Sequence, residues 1–383
     1  MNTSKKLFAD GAKLYSQGDD LAAKNIFRRL LKDDPKNIEL LNRYAVTCMN
    51  TGEYDRAIDA SRRSLELAPE LPDTYLICGL AYYHSGDIIN SEKSFLKSLE
   101  LNPSRSDIKD LWESLKSKPY FSVAGGIQSI HAPERHVFMS AVVDLLNRER
   151  QHLNILEIGT YAGSSTLTWA NAVDKLFDGE GNILCIDAWG KSGPEQYEKD
   201  MEEALQSNHV YEAFLHNAAL VPQCVKIEHI RALSEEVLPH QEDASFDVIY
   251  IDGCHYYQEV LNDITESKRI VSNGGIICGD DLEMKLYEVD NVFATSNRNS
   301  DYIEDPKTGN YYHPGVTLAV NESFATVSQF QGFWAMRRVG NDFCEVSFEN
   351  GTGVLPKHMP PEIIEKIKTY FASSSLLGRL LTE

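Results

Sequence analysis

The 383-residue sequence contains no CxxC pair, no run of about 20 apolar residues and no surplus of positive charge. Each absence excludes something. Seven cysteines (Cys48, Cys78, Cys185, Cys224, Cys254, Cys278 and Cys344) form an odd, scattered set, which fits neither a disulfide framework nor a structural zinc site. They read as small buried hydrophobes in a reducing compartment. No stretch is apolar enough to cross a membrane, and MNTSKKLFADGAKLYSQGDD has no apolar signal core. The expectation is a soluble, cytoplasmic protein with no membrane contact. The net charge of −20 is uneven, with 17 basic against 18 acidic residues through position 117 and 20 against 39 afterwards. A field of that sign repels nucleic acid, which is excluded as a partner, and attracts cationic small molecules.

What is present begins with a repeat. Gly18, Gly52 and Gly86 stand 34 residues apart, and so do Pro35, Pro69 and Pro103. Ala23, Ala57 and Ser91 supply a small residue at matching places. Glycine suits a tight interhelical turn, the small residue a close helix approach, and proline a helix end. This pattern resembles tetratricopeptide repeats, at 4–37, 38–71 and 72–105, with a capping helix near 106–117. Such arrays offer a concave face to a protein partner or to self-association, or act only as a spacer. KSKPYFSVAGGIQS reads as a linker, so the domains expected are 1–117, a linker at 118–128, and 129–383.

Behind the linker, NILEI, NILCID, VKIEHI, FDVIYID and GGIICGD alternate with amphipathic stretches. That alternation predicts a parallel sheet covered on both faces, with ligands beyond the carboxyl ends of its strands. The first strand runs into LEIGTYAGSST, which lacks the GxGxxG of a nicotinamide site and places Glu157 ahead of Gly159 and Gly163. The second ends at Asp187, either a ribose acceptor or a helix cap. Arg231, Ala232 and Leu233 follow the third. IYIDGCHYYQEV stops at Asp252 and sets Cys254 beside His255. It is a buried strand with a polar end, a thiol and imidazole site, or one edge of an active site.

Taken in order, ExGxxxG, the acid after strand two, DGxH and GGxxxxDD resemble class I S-adenosylmethionine-dependent methyltransferases, over roughly 129–340. More narrowly they are similar to the bacterial O-methyltransferases that need a divalent metal. The resemblance implies a Rossmann-like seven-stranded α/β domain behind an all-α repeat domain. It assigns S-adenosylmethionine to Glu157, Gly159, Thr160, Tyr161, Gly163, Ser164, Ser165, Asp187, Ala188, Trp189, Arg231, Ala232 and Leu233. It assigns Mg²⁺ or Mn²⁺ to Asp252, Asp280 and Asp281, carboxylates that repel one another unless a cation lies among them. Methyl transfer to a hydroxyl of a small molecule or glycan is the implied reaction, with Asp252 and His255 at its centre. His255 is either the general base or a structural histidine. Asp281 is alternatively the cap of a helix over DLEMKLYEV. His313 and Trp189 are lid candidates, and Tyr302, Tyr311 and Tyr312 candidates for stacking on an acceptor. By the same resemblance, 324–339 holds two strands meeting at Gln331 and Gly332. Two rival readings remain: a protein methyltransferase recruiting its substrate through the repeats, and a non-catalytic adaptor that senses the cofactor.

Overall fold

A computed structural model describes residues 2–121, 132–147, 149–190, 199–349, 351–373 and 380–382. The chain forms two compact units, Met1–Ala124 and Gly125–Glu383. Most of the expected linker at 118–128 lies outside the described residues.

The first unit is all helical: α1 (Asn2–Ser16), α2 (Asp20–Asp33), α3 (Ile38–Asn50), α4 (Tyr54–Leu67), α5 (Pro72–Ser85), α6 (Ile88–Leu101) and α7 (Ser106–Lys116). The period of 34 becomes three helical hairpins. Gly18, Gly52 and Gly86 turn each hairpin with φ of +81°, +76° and +97°, a conformation that costs any residue with a Cβ. Side chains of Asp19, Asn37 and Asp87 cap the following helices by accepting from Ala22, Leu40 and Asn90 N–H. Ala23, Ala57 and Ser91 are fully buried where helices meet. Trp112 of α7 stacks on Phe95 of α6 at 5.1 Å and closes the last hairpin's apolar face.

The second unit starts with α8 (Arg135–Asn147) and continues β1 (His152–Ile158), α9 (Ser164–Leu176), β2 (Glu180–Asp187), α10 (Lys199–Gln206), α11 (His209–Ala218), β3 (Val225–Arg231), α12 (Ser234–Val237), β4 (Phe246–Ile251), α13 (Tyr257–Ile270) and β5 (Val271–Leu282). After it come α14 (Asn291–Ser296), β6 (Ile303–Glu304), β7 (Tyr311–Tyr312), α15 (Pro314–Ser323), β8 (Ser328–Phe330), β9 (Gly332–Val339) and β10 (Asp342–Glu345). The chain closes with β11 (Gly353–Val354), α16 (Pro361–Ser373) and β12 (Leu381–Thr382).

The main sheet runs β3-β2-β1-β4-β5-β9, parallel through β5 and antiparallel at β9. Its outer position is shared by β8 and β10, which pair with successive halves of β9. The sheet therefore has eight segments where seven strands are expected. β8 and β9 meet at Gln331 and Gly332, both at positive φ, as a two-residue turn requires. Every residue of β4 is buried, the mark of a strand covered on both faces. Strand order reverses between β1 and β4, so their carboxyl ends open a crevice at the switch point.

Candidate active site

The turn after β1 is held against the end of β4. Asp252 N–H donates to Ile158 O at 2.9 Å. Gly159 has φ +83°, and a Cβ there would sit 2.0 Å from Asp252 O; only glycine permits this approach. Around the turn, three buried polar atoms, Glu157 Oε1, Thr160 Oγ1 and Ser164 Oγ, have no hydrogen-bond partner among the described residues. Buried polar groups are seldom left so, and three together suit a polar ligand. Glu157 Oε2 accepts from Thr166 Oγ1 at 2.5 Å. Burial raises the Glu157 pKa to about 7, with the neighbouring hydroxyls opposing. Gly163, also at positive φ, leads into α9, and Ser165 lies buried in its first turn.

Asp187 ties the next two strand ends to that turn. Its carboxylate accepts from Tyr161 and Trp189 N–H, both at 2.7 Å, while Ala232 N–H donates to its carbonyl. Ala188 lies between Asp187 and Trp189. Trp189 is buried against Tyr211 and Phe214 and donates its indole N–H to Tyr161 O. Arg231 lies over the Tyr211 ring and donates to Asn208 Oδ1 and Trp189 O. Leu233 is half-buried at the start of α12. Residues 191–198, just beyond Trp189 and Gly190, lie outside the described residues.

Asp252, after β4, and Asp280 and Asp281, at the end of β5, converge so that one oxygen of each lies within 4.8 Å of the others. No helix follows Asp281; β5 continues to Leu282. The capping alternative for Asp281 therefore falls, and the residue instead adopts φ +63°. Burial raises the pKa of Asp252 to about 6 and that of Asp280 well above the carboxylate range, against the pull of Arg135. Asp281 is only half-buried; that burial pushes its carboxyl up, yet His255 and His313 hold it well below that range. Tyr250 donates to Asp252 Oδ2 at 3.1 Å.

His255 faces two carboxylates. Nε2 lies 3.0 Å from Asp281 Oδ2, and Nδ1 2.7 Å from Asp301 Oδ1. His313 is seated alongside, ring centroids 4.5 Å apart, with Nδ1 3.0 Å from Glu283 Oε1. The glycine two residues past His313 explains this placement. A Cβ on Gly315 would lie 2.2 Å from His255 O, so α15 can bring His313 against the His255 loop only with glycine there. The two lid candidates, Trp189 and His313, are thus buried, anchored side chains. Of the three tyrosines, Tyr302 and Tyr311 are exposed and stack together, with Tyr302 4.9 Å from the His313 ring. Tyr312 is fully buried in a small core with Met284, Val289 and Ala294, so it does not stack on an acceptor. Cys254 is half-buried, and all seven cysteines are free.

Reading strand ends in order misses Arg135, Glu283 and Asp301. Arg135 opens α8, well upstream of β1, and its guanidinium contacts Asp280 and lies 3.8 Å from Asp252 Oδ2. Nothing local in APERHVF marks it. The length and polarity of the loop between β5 and α15 were the signal for Asp301.

Comparison with known proteins matches this arrangement region by region. Residues 156–282 match the family model of a methyltransferase domain, and residues 14–76 and 72–105 match tetratricopeptide repeat models. An uncharacterized protein of Acanthamoeba polyphaga mimivirus is 29% identical over 154 residues, covering 39% of this chain and 60% of that protein. The Hsp70-Hsp90 organising protein of Plasmodium falciparum is 19% identical over 108 residues, 28% of this chain and 43% of that one. The chain thus spans less than two thirds of either curated relative. Among solved structures, the Yersinia enterocolitica type III secretion chaperone SycD with a peptide of the translocator YopD gives a TM-score of 0.28 at 18% identity, over 30% of this chain and 89% of that one. The Sgt2 tetratricopeptide domain of Aspergillus fumigatus gives 0.29 at 19%, over 30% and 78%. The chain carries tetratricopeptide repeats followed by a methyltransferase domain.

Proposed function

We propose that the chain is an S-adenosylmethionine-dependent O-methyltransferase acting on a hydroxyl of a small molecule or glycan with help from Mg²⁺ or Mn²⁺. The observation that carries this reading is the convergence of Asp252, Asp280 and Asp281 within 4.8 Å, beside a turn where Glu157, Thr160 and Ser164 each leave a buried polar atom with no hydrogen-bond partner among the described residues. An all-oxygen donor set, with Asp280 buried and Asp252 and Asp281 half-buried, suits a hard divalent cation. Bound there, such an ion lowers the pKa of an acceptor hydroxyl and fixes its orientation. The cofactor amino acid would lie against Glu157, Thr160 and Ser164, its ribose at Asp187, and its adenine toward Arg231, Ala232 and Leu233. Asp187 already uses both oxygens on backbone N–H groups, so ribose hydroxyls would share their remaining lone pairs.

His255 is the base this geometry favours. Asp301 at Nδ1 holds a proton on that nitrogen, so Nε2, which faces Asp281 Oδ2 at 3.0 Å, would be the atom that exchanges one once Asp281 turns to the metal. The imidazolium so formed is balanced by Asp281 and Asp301. S-adenosylmethionine would supply a methyl group whose carbon–sulfur bond breaks as the carbon–oxygen bond forms, and His255 would take the acceptor proton at Nε2. The sulfonium loses its charge on the way, so the acids act mainly on binding and acceleration comes from alignment and acceptor activation.

The test is transfer of labelled methyl from S-adenosylmethionine into extract fractions, with and without excess chelator. Label entering a small molecule or glycan, lost with chelator and restored by Mg²⁺ or Mn²⁺, is expected. Undiminished transfer in chelator removes the metal from the reading, and label confined to protein replaces the acceptor class. The repeats would hold a protein partner, and the groove on α3 and α5 lined by Ile38, Asn42, Arg43, Val46, Asp73 and Ile77 supports that role.

A further inference from the structure

The three carboxylates are not without a counter-charge. Arg135 is the first residue of α8, and its side chain is only 16% exposed. One guanidinium nitrogen, Nη1, contacts Asp280 Oδ2, and the other, Nη2, lies 3.8 Å from Asp252 Oδ2. Asp280 Oδ2 is buried and makes no hydrogen bond among the described residues, so charge is what holds it beside Arg135. The backbone at this point is fixed by the next residue, whose imidazole Nδ1 lies 2.7 Å from Thr168 Oγ1. Arginine cannot shed its charge at any ordinary pH. Its hold on the site can therefore be released only by movement of the side chain.

A divalent ion of the proposed kind bonds oxygen at about 2.1 Å. Bound to Asp280, it would share that carboxylate with the guanidinium, and two cations on one buried carboxylate repel each other. We propose that Arg135 is the resident cation of the Asp252, Asp280 and Asp281 group, and that a divalent metal binds there only by displacing its guanidinium. The exchange lets the α/β unit keep three converging carboxylates folded without metal. It also sets the apparent metal affinity as a difference between two cations rather than the full strength of the carboxylate cage. This inference rests on the metal reading above.

Mn²⁺ binding to the full chain, followed by the resonance signal of the free ion, separates the outcomes. Arg135→Met removes the competitor while keeping the apolar stem. Its Mn²⁺ affinity should rise at least tenfold over the unaltered chain, and its melting temperature should fall without metal and recover with Mn²⁺. Arg135→Lys keeps a charge but loses the planar fork, and should bind Mn²⁺ at least threefold tighter; it carries the test if the methionine variant does not fold. Affinity that is unchanged or weakened in the variants overturns the exchange and leaves the metal reading standing. No Mn²⁺ binding by any of the three chains overturns both, whereas calorimetry with S-adenosylmethionine still reports the cofactor reading by itself.

Discussion

Gly52 and Gly159 both sit at positive φ, +76° and +83°, but in opposite surroundings. A Cβ on Gly52 would meet nothing within 4 Å, and one on Gly159 would overlap the backbone of Asp252. The contrast extends to charge. In the repeats, buried Lys24 is answered directly by Glu53 at 2.8 Å and Thr51 at 2.9 Å. In the α/β unit Glu157 is buried with no ion pair to a cation among the described residues, and three aspartates share Arg135 and two histidines. The repeat unit spreads modest, self-contained interactions over three similar hairpins. The α/β unit concentrates close approaches and clustered acids at the carboxyl ends of its strands.

The contrast can be broken at its steepest point first. Gly159→Ala should cost more than about 3 kcal/mol, because backbone would have to move away from the new methyl group. Tryptophan fluorescence during denaturant unfolding reads this unit, since Trp169, Trp189 and Trp334 lie in it and Trp112 alone does not. His255→Ala should reduce turnover by about 10² to 10⁴ while calorimetric binding of S-adenosylmethionine survives; unchanged turnover would return His255 to a structural role.

Glu157→Gln probes the buried charge. The folded pKa of about 7 lies above the ordinary value of 4.5, so the fold favours the protonated acid. That contribution is fully present below about pH 4.5 and is lost as pH rises toward 7. Without ligand, the glutamine variant should be more stable than the unaltered chain at pH 8, by up to about 3 kcal/mol, and nearly equal to it at pH 5. A gap that does not change with pH would show that Glu157 is already compensated. The smallest effect is expected at Gly52→Ala, about 1 kcal/mol of left-handed strain with no clash, followed by loss of helical circular dichroism. Equal losses at Gly52 and Gly159 would erase the distinction between the units.

Much of this could be read along the chain because it is periodic or local. The interval of 34 residues named three hairpins, and proline two residues past α2, α4 and α6 marked their ends. Apolar runs located β1, β4 and β5 because a strand covered on both faces leaves an uninterrupted hydrophobic signature, whereas the edge strand β3, with only Val225 buried, showed itself by apolar and polar residues in alternation. Glycine carried information wherever backbones approach, at Gly159 beside Asp252 and at Gly315 beside His255. Adjacent tyrosines were harder. Tyr311 and Tyr312 look alike in sequence, but successive side chains of a strand point to opposite faces, so one is exposed and the other is core.

What the sequence alone determined was the order of elements and the strand ends at which acids and glycines would gather, since these follow from spacing along one chain. What only the tertiary structure decided was which charges face one another. Asp301 reached Nδ1 of His255, and Arg135 reached Asp280 and Asp252, across separations of 46 residues or more. Coulomb interactions depend on distance in space and on burial, and neither is written in the neighbourhood of the residues concerned.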